Sequence, residues 1–253
     1  MSTSETLNPT TSSDATSAAD THPHAAVNTT TSWFTLFAAF RVSSSHPEVL
    51  NARDVAGAVR ELEDVIEVIG DENVSLRGSY DLSGIRSDAD VMLWLHGSAV
   101  EDLQWALREL RRTELLRPLI RVWNTIGTFP EPAARGTQEP VFVRGDEPQQ
   151  WLAIHPFTLS PEWHQLDTAA RNQLVENFNA TKALFPQAKI SMIATFGLSE
   201  HEWLLRVEAD VPTELVDAVR AMRAVDPQPR LDGTNHFFTG RRIEVAEIVE
   251  VLQ

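Results

Sequence analysis

The feature that most constrains the fold is a pattern of predicted strands and helices that occurs twice along the chain. The first copy begins with an apolar strand over 33–42 and ends with a strand over 119–129. The second copy runs from a strand over 151–157 to a strand over 237–245. Hydrophobic periodicity gives both copies the order β-α-β-β-α-β, which is the ferredoxin-like pattern. We therefore predict an α+β fold made of two fused ferredoxin-like halves, each with an antiparallel sheet and helices on one face.

A gap-free superposition of the second helix of each half supports an internal duplication. Setting Asp102 and Leu103 on Glu214 and Leu215 also aligns three identical pairs: Ala106 with Ala218, Arg108 with Arg220, and Arg111 with Arg223. Each predicted helix layer covers one face of its sheet. The remaining sheet faces are therefore expected to meet, as in the dimeric α+β barrel type.

The same pattern divides the chain into four segments. Residues 1–31 are almost all Ser, Thr, Ala, Asn and Asp, and a segment of this composition is predicted to be a disordered tail. Residues 32–130 form the N-terminal half, and 150–253 form the C-terminal half, which holds the expected pocket. The linker over 131–149 is long for a connection within a compact domain, and such loops often line sites.

Composition excludes several classes of function. A net charge of −15 argues against nucleic acid or an anionic membrane as a partner. The absence of cysteine removes disulfides, thiolate nucleophiles and zinc–thiolate sites. No signal peptide precedes Arg41, and no stretch of about 20 apolar residues would span a bilayer. A cytoplasmic protein is expected, without a metal-spaced carboxylate cluster or a phosphate-binding glycine loop.

The stretch over 151–179 is predicted to supply three walls of a pocket. An alternating apolar strand leads through His155 into a loop that carries tryptophan. An amphipathic helix follows from about Asp167, with Leu174, Val175 and Phe178 on one face. Strand, loop and helix in this order predict a concave site in the C-terminal half.

Several segments of the chain resemble the chlorite dismutase family. They are RGSYDLSGIRSDAD over 77–90, MLWLH over 92–96, HPF over 155–157, EW over 162–163 and FTGRRI over 238–243. More narrowly, the chain resembles the actinobacterial coproheme decarboxylases that complete haem b synthesis. The resemblance covers nearly everything from Trp33 onward. It implies the duplicated fold derived above, usually assembled as a homopentamer.

The resemblance also implies roles for particular positions. Members of that family have an axial histidine on the helix, a tyrosine that becomes the radical oxidising the propionates, a distal histidine in the linker and a propionate-binding arginine in the loop. The resemblance places the axial histidine at Phe178 and the radical tyrosine at His155. It places the distal histidine at Gln138 and the propionate-binding arginine at Leu159. Trp163 keeps the family identity. Tyr80 is the only tyrosine in the chain and belongs to another family motif, so none remains for the radical.

These replacements remove the chemistry that the resemblance would imply. Phe178 has no lone pair for iron, and His155 donates a hydrogen bond but does not replace a phenoxyl radical. Leu159 offers a propionate no charge-assisted partner. The leading hypothesis is a coproheme decarboxylase-like protein with a diverged catalytic site, with weak or no haem binding and without peroxide-dependent decarboxylation. No cofactor is assigned, and coproheme or haem b is expected where the family function is retained.

Three alternatives remain open. In the first, His155 or His164 supplies a shifted iron ligand in an active haem-synthesis enzyme. The structural interpretation of the same residues is that His155 is a hydrogen-bonded histidine at a strand end and His164 a solvent-facing histidine in a loop. In the second, the chain is a structural or regulatory partner of an intact paralogue. In the third, a pocket lined by Trp163, Phe178 and Phe157 binds another small molecule. Tyr80 and Arg86 are interpreted as either structural or propionate-facing.

Overall fold

The computed structural model describes residues 33–45, 55–129, 145–224 and 236–252. The predicted tail over 1–31, most of the predicted linker and Gln138 lie outside the described residues. The described residues belong to one compact unit. None of their helices has the length together with the apolar character that crossing a bilayer requires.

The order of the elements follows the predicted repeat. The first half contains β1 Phe34–Arg41, α1 Val55–Asp71, β2 Val74–Asp81, β3 Val91–Gly97, α2 Val100–Leu110 and β4 Ile120–Thr128. The second half contains β5 Trp151–Phe157, α3 Pro161–Gln165, α4 Thr168–Ala183, β6 Lys189–Ala194, β7 Trp203–Ala209, α5 Pro212–Ala224 and β8 Phe238–Ile243. A 3-10 turn, Val245–Glu247, and α6 Ile248–Val251 end the described chain. The strand predicted over 151–157 coincides with β5, whereas the last strand, predicted over 237–245, is shorter in the structure and ends at Ile243.

The eight strands form one closed barrel in the order β1-β3-β2-β8-β5-β7-β6-β4. Each half contributes four antiparallel strands, with the first and third strands of the half in the centre. The two halves join where β2 pairs with β8 and where β4 pairs with β6. The predicted fold class is therefore confirmed. The helix-free sheet faces meet as the inside of the barrel, and closure leaves no free edge strand.

Side-chain alternation along the strands produces separate apolar layers. The barrel interior contains Phe37, Ala39, Tyr80, Met92, Trp94, Leu152, Ile154, Ile193, Leu204 and Phe238. We call the layer between the second half's strands and helices the C-terminal layer. Its buried members are Ala153, Phe157, Ala188, Ile190, Leu205, Val207, Ala209, Leu215, Ala218 and Met222. Neighbouring residues of β5 thus serve different layers, because Leu152 and Ile154 face the interior while Ala153 and Phe157 face the helices.

The helix residues aligned by the duplication have matching environments. Leu103 and Ala106 of α2 are buried under the first half, as Leu215 and Ala218 of α5 are buried under the second. This correspondence explains why the gap-free superposition retains small and apolar residues at the same helical positions.

Gly240 fixes the closest approach at the β2–β8 junction. A Cβ atom at this position would lie 2.6 Å from the Asp81 carbonyl oxygen and 2.9 Å from Leu82 Cδ1. We expect Gly240→Ala to lower the free energy of unfolding by about 3 kcal/mol in urea denaturation. The added methyl group would clash with the Asp81 backbone, which moves less easily than the end of a side chain. Gly70→Ala is the control, since nothing lies within 4 Å of its Cβ position at the end of α1. Equal stabilities of the two variants would contradict the tight approach.

Candidate functional site

His155 projects from β5 into the C-terminal layer, and its side chain is almost fully enclosed, with 3% of the residue exposed. Its Nδ1 atom lies 2.9 Å from the carbonyl oxygen of His236. The imidazole ring stacks on Phe237, with centroids 4.3 Å apart and planes 11° apart, and on Phe157 at 5.7 Å. A carbonyl oxygen only accepts, so Nδ1 carries the proton, and the neutral ring keeps a lone pair at Nε2.

The surroundings of His155 keep its ring neutral near pH 7. Burial lowers the pKa of His155, and the hydrogen bond to His236 opposes that effect only in part. The positive charge of Arg223 lowers the pKa further, as do His201 and His236. Within the part of the chain that the structure describes, Nε2 is buried and has no hydrogen-bond partner. The layer therefore contains a buried nitrogen lone pair beside aromatic rings.

Phe178 lies on α4 and packs, half-buried, against the C-terminal layer. The helix begins as the sequence predicted, because Asp167 is its N-cap and Asp167 Oδ1 accepts from the Ala170 backbone N–H at 2.8 Å.

One prediction for the inner face of α4 is wrong. Val175 is 46% exposed, whereas Leu174 and Phe178 are half-buried. Residues four apart share a helix face, and Val175 is rotated about 100° from Leu174.

The packing of α4 differs from that of its neighbour α5. No residue of α4 is fully buried. Three residues of α5 are buried against the strands: Leu215, Ala218 and Met222. The side of α4 toward the C-terminal layer is therefore only partly enclosed, with Leu174 and Phe178 half-buried. Phe178 packs against this layer from the helix side, and the His155 ring lies in it on the strand side, stacked on Phe157 and Phe237.

The loop and short helix between β5 and α4 contain three predicted site residues. Leu159 packs against the C-terminal layer, and its backbone N–H donates to Glu202 Oε2 at 3.2 Å. His164 Nε2 lies 3.8 Å from Glu202 Oε1, and the His164 side chain is 51% exposed. Trp163 is half-buried on α3. Leu159 therefore contributes apolar surface near Phe178, and His164 is solvent-facing.

Tyr80 and Arg86 occupy different layers of the molecule. Tyr80 is fully buried in the barrel interior, which is the opposite face of the sheet from His155. Arg86 forms a 2.6 Å ion pair with Asp88 and donates to the Phe237 carbonyl oxygen at 2.6 Å. It therefore holds the peptide beside the ring on which His155 stacks. The structure brings together His155, Phe178, Leu159 and the Arg86 contact, and it places Tyr80 elsewhere.

The sequence analysis did not assign three residues to this site, although it aligned Arg223 with Arg111 in the duplication. His236 and Phe237 immediately precede β8 and supply the hydrogen-bond acceptor and the stacking ring for His155. Arg223, near the end of α5, places its Cζ atom 5.5 Å from the Phe237 ring centroid. In the sequence, His236 and Phe237 are marked only by their position beside the segment over 238–243. Among the described residues, no group of three or more His, Cys, Asp or Glu side chains is arranged to hold a metal ion.

Comparison with known proteins places this geometry in a family. The chlorite dismutase family model matches residues 55–243. A coproheme decarboxylase from Mycolicibacterium smegmatis is 30% identical over 200 residues, covering 79% of this chain and 87% of the relative.

Solved structures show the same fold. A chlorite dismutase variant from Candidatus Nitrospira defluvii superposes with a TM-score of 0.74 at 21% identity, covering 89% of this chain and 97% of that one. The imidazole complex of chlorite dismutase from the same organism gives a TM-score of 0.72 at 20% identity, covering 87% and 95%. The duplicated barrel, the matched segments and the curated relative agree, and the chain belongs to the chlorite dismutase family.

Proposed function

We propose that this chain is a coproheme decarboxylase-like protein that has lost peroxide-dependent decarboxylation and binds haem weakly or not at all. The proposal rests on family membership together with the residues that lie in the C-terminal layer between α4 and the strands. In this proposal the chain keeps the family fold and an aromatic site, while the side chains at the reacting positions have changed.

Phe178 is the observation that carries the proposal. The resemblance assigns the axial iron ligand to this position on α4. A phenyl ring has no lone pair to donate to iron, and here the ring packs against the C-terminal layer. The neighbouring inner-face residue, Leu174, is also apolar. The described residues of α4 therefore do not fit an iron ligand at the family position.

His155 and Leu159 support the same conclusion on the strand side. At the position of the family tyrosine, His155 is fixed by the His236 carbonyl and by stacking on Phe237. It has no phenol to oxidise. Leu159 packs its side chain against the apolar layer instead of presenting a positive charge. A propionate beside Leu159 would therefore lack the charge-assisted partner that the family arginine supplies.

Titration with coproheme tests the proposal. We expect purified protein to produce little or no change in the Soret band at micromolar coproheme, and no decarboxylated product after addition of peroxide. The coproheme decarboxylase of Mycolicibacterium smegmatis serves as the positive control under the same conditions. A saturating Soret shift followed by formation of haem b would contradict the proposal.

One observation supports a second candidate, an active haem enzyme with a rearranged ligand. His155 Nε2 is a buried lone pair without a partner among the described residues, and neutral imidazole is a common iron ligand. On this hypothesis the wild-type protein shows a Soret shift that His155→Ala abolishes. His164→Ala is the matched control, because His164 is solvent-facing. A Soret shift that is unchanged in both variants would contradict iron ligation by His155 and by His164.

The proposal includes a family-type homo-oligomer, expected to be a pentamer in the cytoplasm. Large apolar side chains are exposed on the second half: Val175, Leu184, Phe196, Leu198, Val211 and Val216. Such surface is consistent with association, either between copies of this chain or with an intact paralogue. Light scattering coupled to size-exclusion chromatography measures the assembly, and a monomer at micromolar concentration would contradict it.

A further inference from the structure

A group of charged side chains lies inside the barrel, on the opposite face of the sheet from His155. Arg77 comes from β2, and Arg206 and Glu208 come from β7. All three residues are buried, with 9%, 1% and 0% exposed, respectively. Glu208 Oε1 accepts from Arg206 Nη1, and Arg77 Nη2 lies 3.6 Å from Glu208 Oε2. One carboxylate therefore faces two guanidinium groups in a water-poor interior.

Trp94 forms the floor beneath both arginines. The Cζ atoms of Arg77 and Arg206 lie 4.9 Å and 5.5 Å from the Trp94 ring centroid. The indole Nε1–H donates to Thr35 Oγ1 at 2.6 Å, which fixes the ring. Contact with the ring face stabilises the cations, but it supplies no negative charge.

A third arginine approaches the same region from β8. Arg242 pairs across the strands with Tyr80 of β2, so both side chains project to the same face of the barrel wall. The Tyr80 ring also covers Gly78, where an added Cβ would lie 3.1 Å from the Tyr80 hydroxyl oxygen. Burial raises the pKa of Tyr80, and the charge of Glu208 raises it further. The phenol therefore remains protonated and is available as a donor.

Several donors in this region are buried and have no hydrogen-bond partner among the described residues. They are Arg77 Nε, Arg77 Nη2, Arg242 Nε and the Tyr80 hydroxyl. Buried donors are almost always satisfied, and donors on charged groups are the most costly to leave unmet. Water would satisfy the hydrogen bonds but would not offset charge. Among the described residues, Arg77 faces one carboxylate, which it shares with Arg206, and Arg242 forms no ion pair. The unmet donors of Arg77 and Arg242 together with their charge therefore favour an anion as the acceptor.

We propose that the barrel interior binds a small tetrahedral oxyanion of the phosphate or sulfate class between β2 and β8. The unmet donors come from two adjacent strands, and an anion with several oxygen atoms accepts from all of them at once. The donors belong to buried or half-buried side chains, which favours a small inorganic anion. This site lies on the opposite face of the sheet from His155 and does not depend on the proposed function.

Selenate, which has the shape and charge of sulfate, tests the position of the site directly. Crystals of the full chain are soaked in millimolar selenate, and data are collected at the selenium absorption edge. We expect an anomalous peak inside the barrel, with selenate oxygens within hydrogen-bond distance of Arg77 Nε and Arg242 Nε. Density for water alone at these atoms, without an anomalous peak, would overturn the proposal.

Calorimetric titration with inorganic phosphate, at constant ionic strength maintained with chloride, tests the same site in solution. We expect saturable binding that Arg242→Gln weakens about tenfold, because one charge-assisted donor is lost. Arg241→Gln is the matched control on the same strand, since Arg241 is exposed and pairs with Glu247 at the surface. The same loss of affinity in both variants, or no saturable binding to the wild type, would overturn the proposal.

Tyr80→Phe provides a second variant in case Arg242→Gln does not fold. It removes the hydroxyl donor, keeps the buried ring and leaves the charges unchanged. We expect a several-fold weaker affinity for phosphate and an unchanged far-UV circular dichroism spectrum. Wild-type affinity in Tyr80→Phe would show that the hydroxyl does not contact the anion, which contradicts the proposed position.

Discussion

Phe178→His is expected to bind coproheme about a hundredfold more tightly than the wild-type protein, a difference of about 2.7 kcal/mol. The substitution places an imidazole on the inner face of α4, where the Phe178 ring lies half-buried against the C-terminal layer. Because α4 has no fully buried residue, the helix accepts the polar ring without opening a packed interface. The measurement is a Soret titration of both proteins under identical conditions.

Val175→His is the matched control for this gain of binding. It adds the same imidazole to the same helix, three residues earlier, at a position that is 46% exposed. We expect it to leave coproheme binding at the wild-type level. Equal affinity in Phe178→His and Val175→His would show that residue 178 does not approach the iron.

Restored binding is not expected to restore the reaction. The proposed function assigns the position of the family tyrosine to His155, and an imidazole does not replace the phenoxyl radical. Phe178→His is therefore expected to form a complex that yields no decarboxylated product with peroxide. If the variant binds coproheme tightly and yields no product, the two effects are distinguished: Phe178 accounts for the weak binding of iron, and His155 accounts for the missing reaction.

Glu208→Gln is expected to lower the free energy of unfolding by about 3–5 kcal/mol. Glu208 is fully buried and is the carboxylate that faces both Arg206 and Arg77. Removing its charge leaves two buried guanidinium groups without that compensation, and breaking a buried pair costs far more than an exposed one contributes. Urea denaturation monitored by tryptophan fluorescence measures the change.

The control for this prediction is Glu109→Gln. Glu109 pairs with Arg112 on the surface at the end of α2, and the Arg112 side chain is 70% exposed. We expect a change below about 0.5 kcal/mol, as is usual for solvent-exposed ion pairs. A loss at Glu208→Gln as small as this would mean that the arginine charges in the barrel are compensated without Glu208.

The sequence predicted the second half of the chain best where the local pattern was strong. The bounds of β5 agree with the prediction, and the helix predicted from about Asp167 begins there, with Asp167 as its N-cap. Val175 was misplaced because α4 is only weakly amphipathic and is not packed down on the sheet. A helix without a tightly buried face leaves little periodic signal that separates inward from outward positions.

The sequence predicted a site in the second half, but it did not indicate all the residues that surround His155. The stretch over 151–179 supplied His155, Leu159 and Phe178, which the structure brings to one layer. His236 and Phe237 were missed because His236 lies 81 residues from His155 along the chain. Periodicity describes neighbours within an element, and it carries no information about which distant strand end reaches a given side chain.

The sequence by itself determined the duplicated β-α-β-β-α-β order, and it carried the prediction that the family's reactive residues are replaced. These features depend on local periodicity and on the chemical identity of single side chains. Closure of the barrel, the fixed ring of His155 and the buried arginines around Glu208 were decided only by the tertiary structure. Each depends on strand pairing between distant segments, because pairing register determines which side chains face the interior and therefore which charges must share one low-dielectric space.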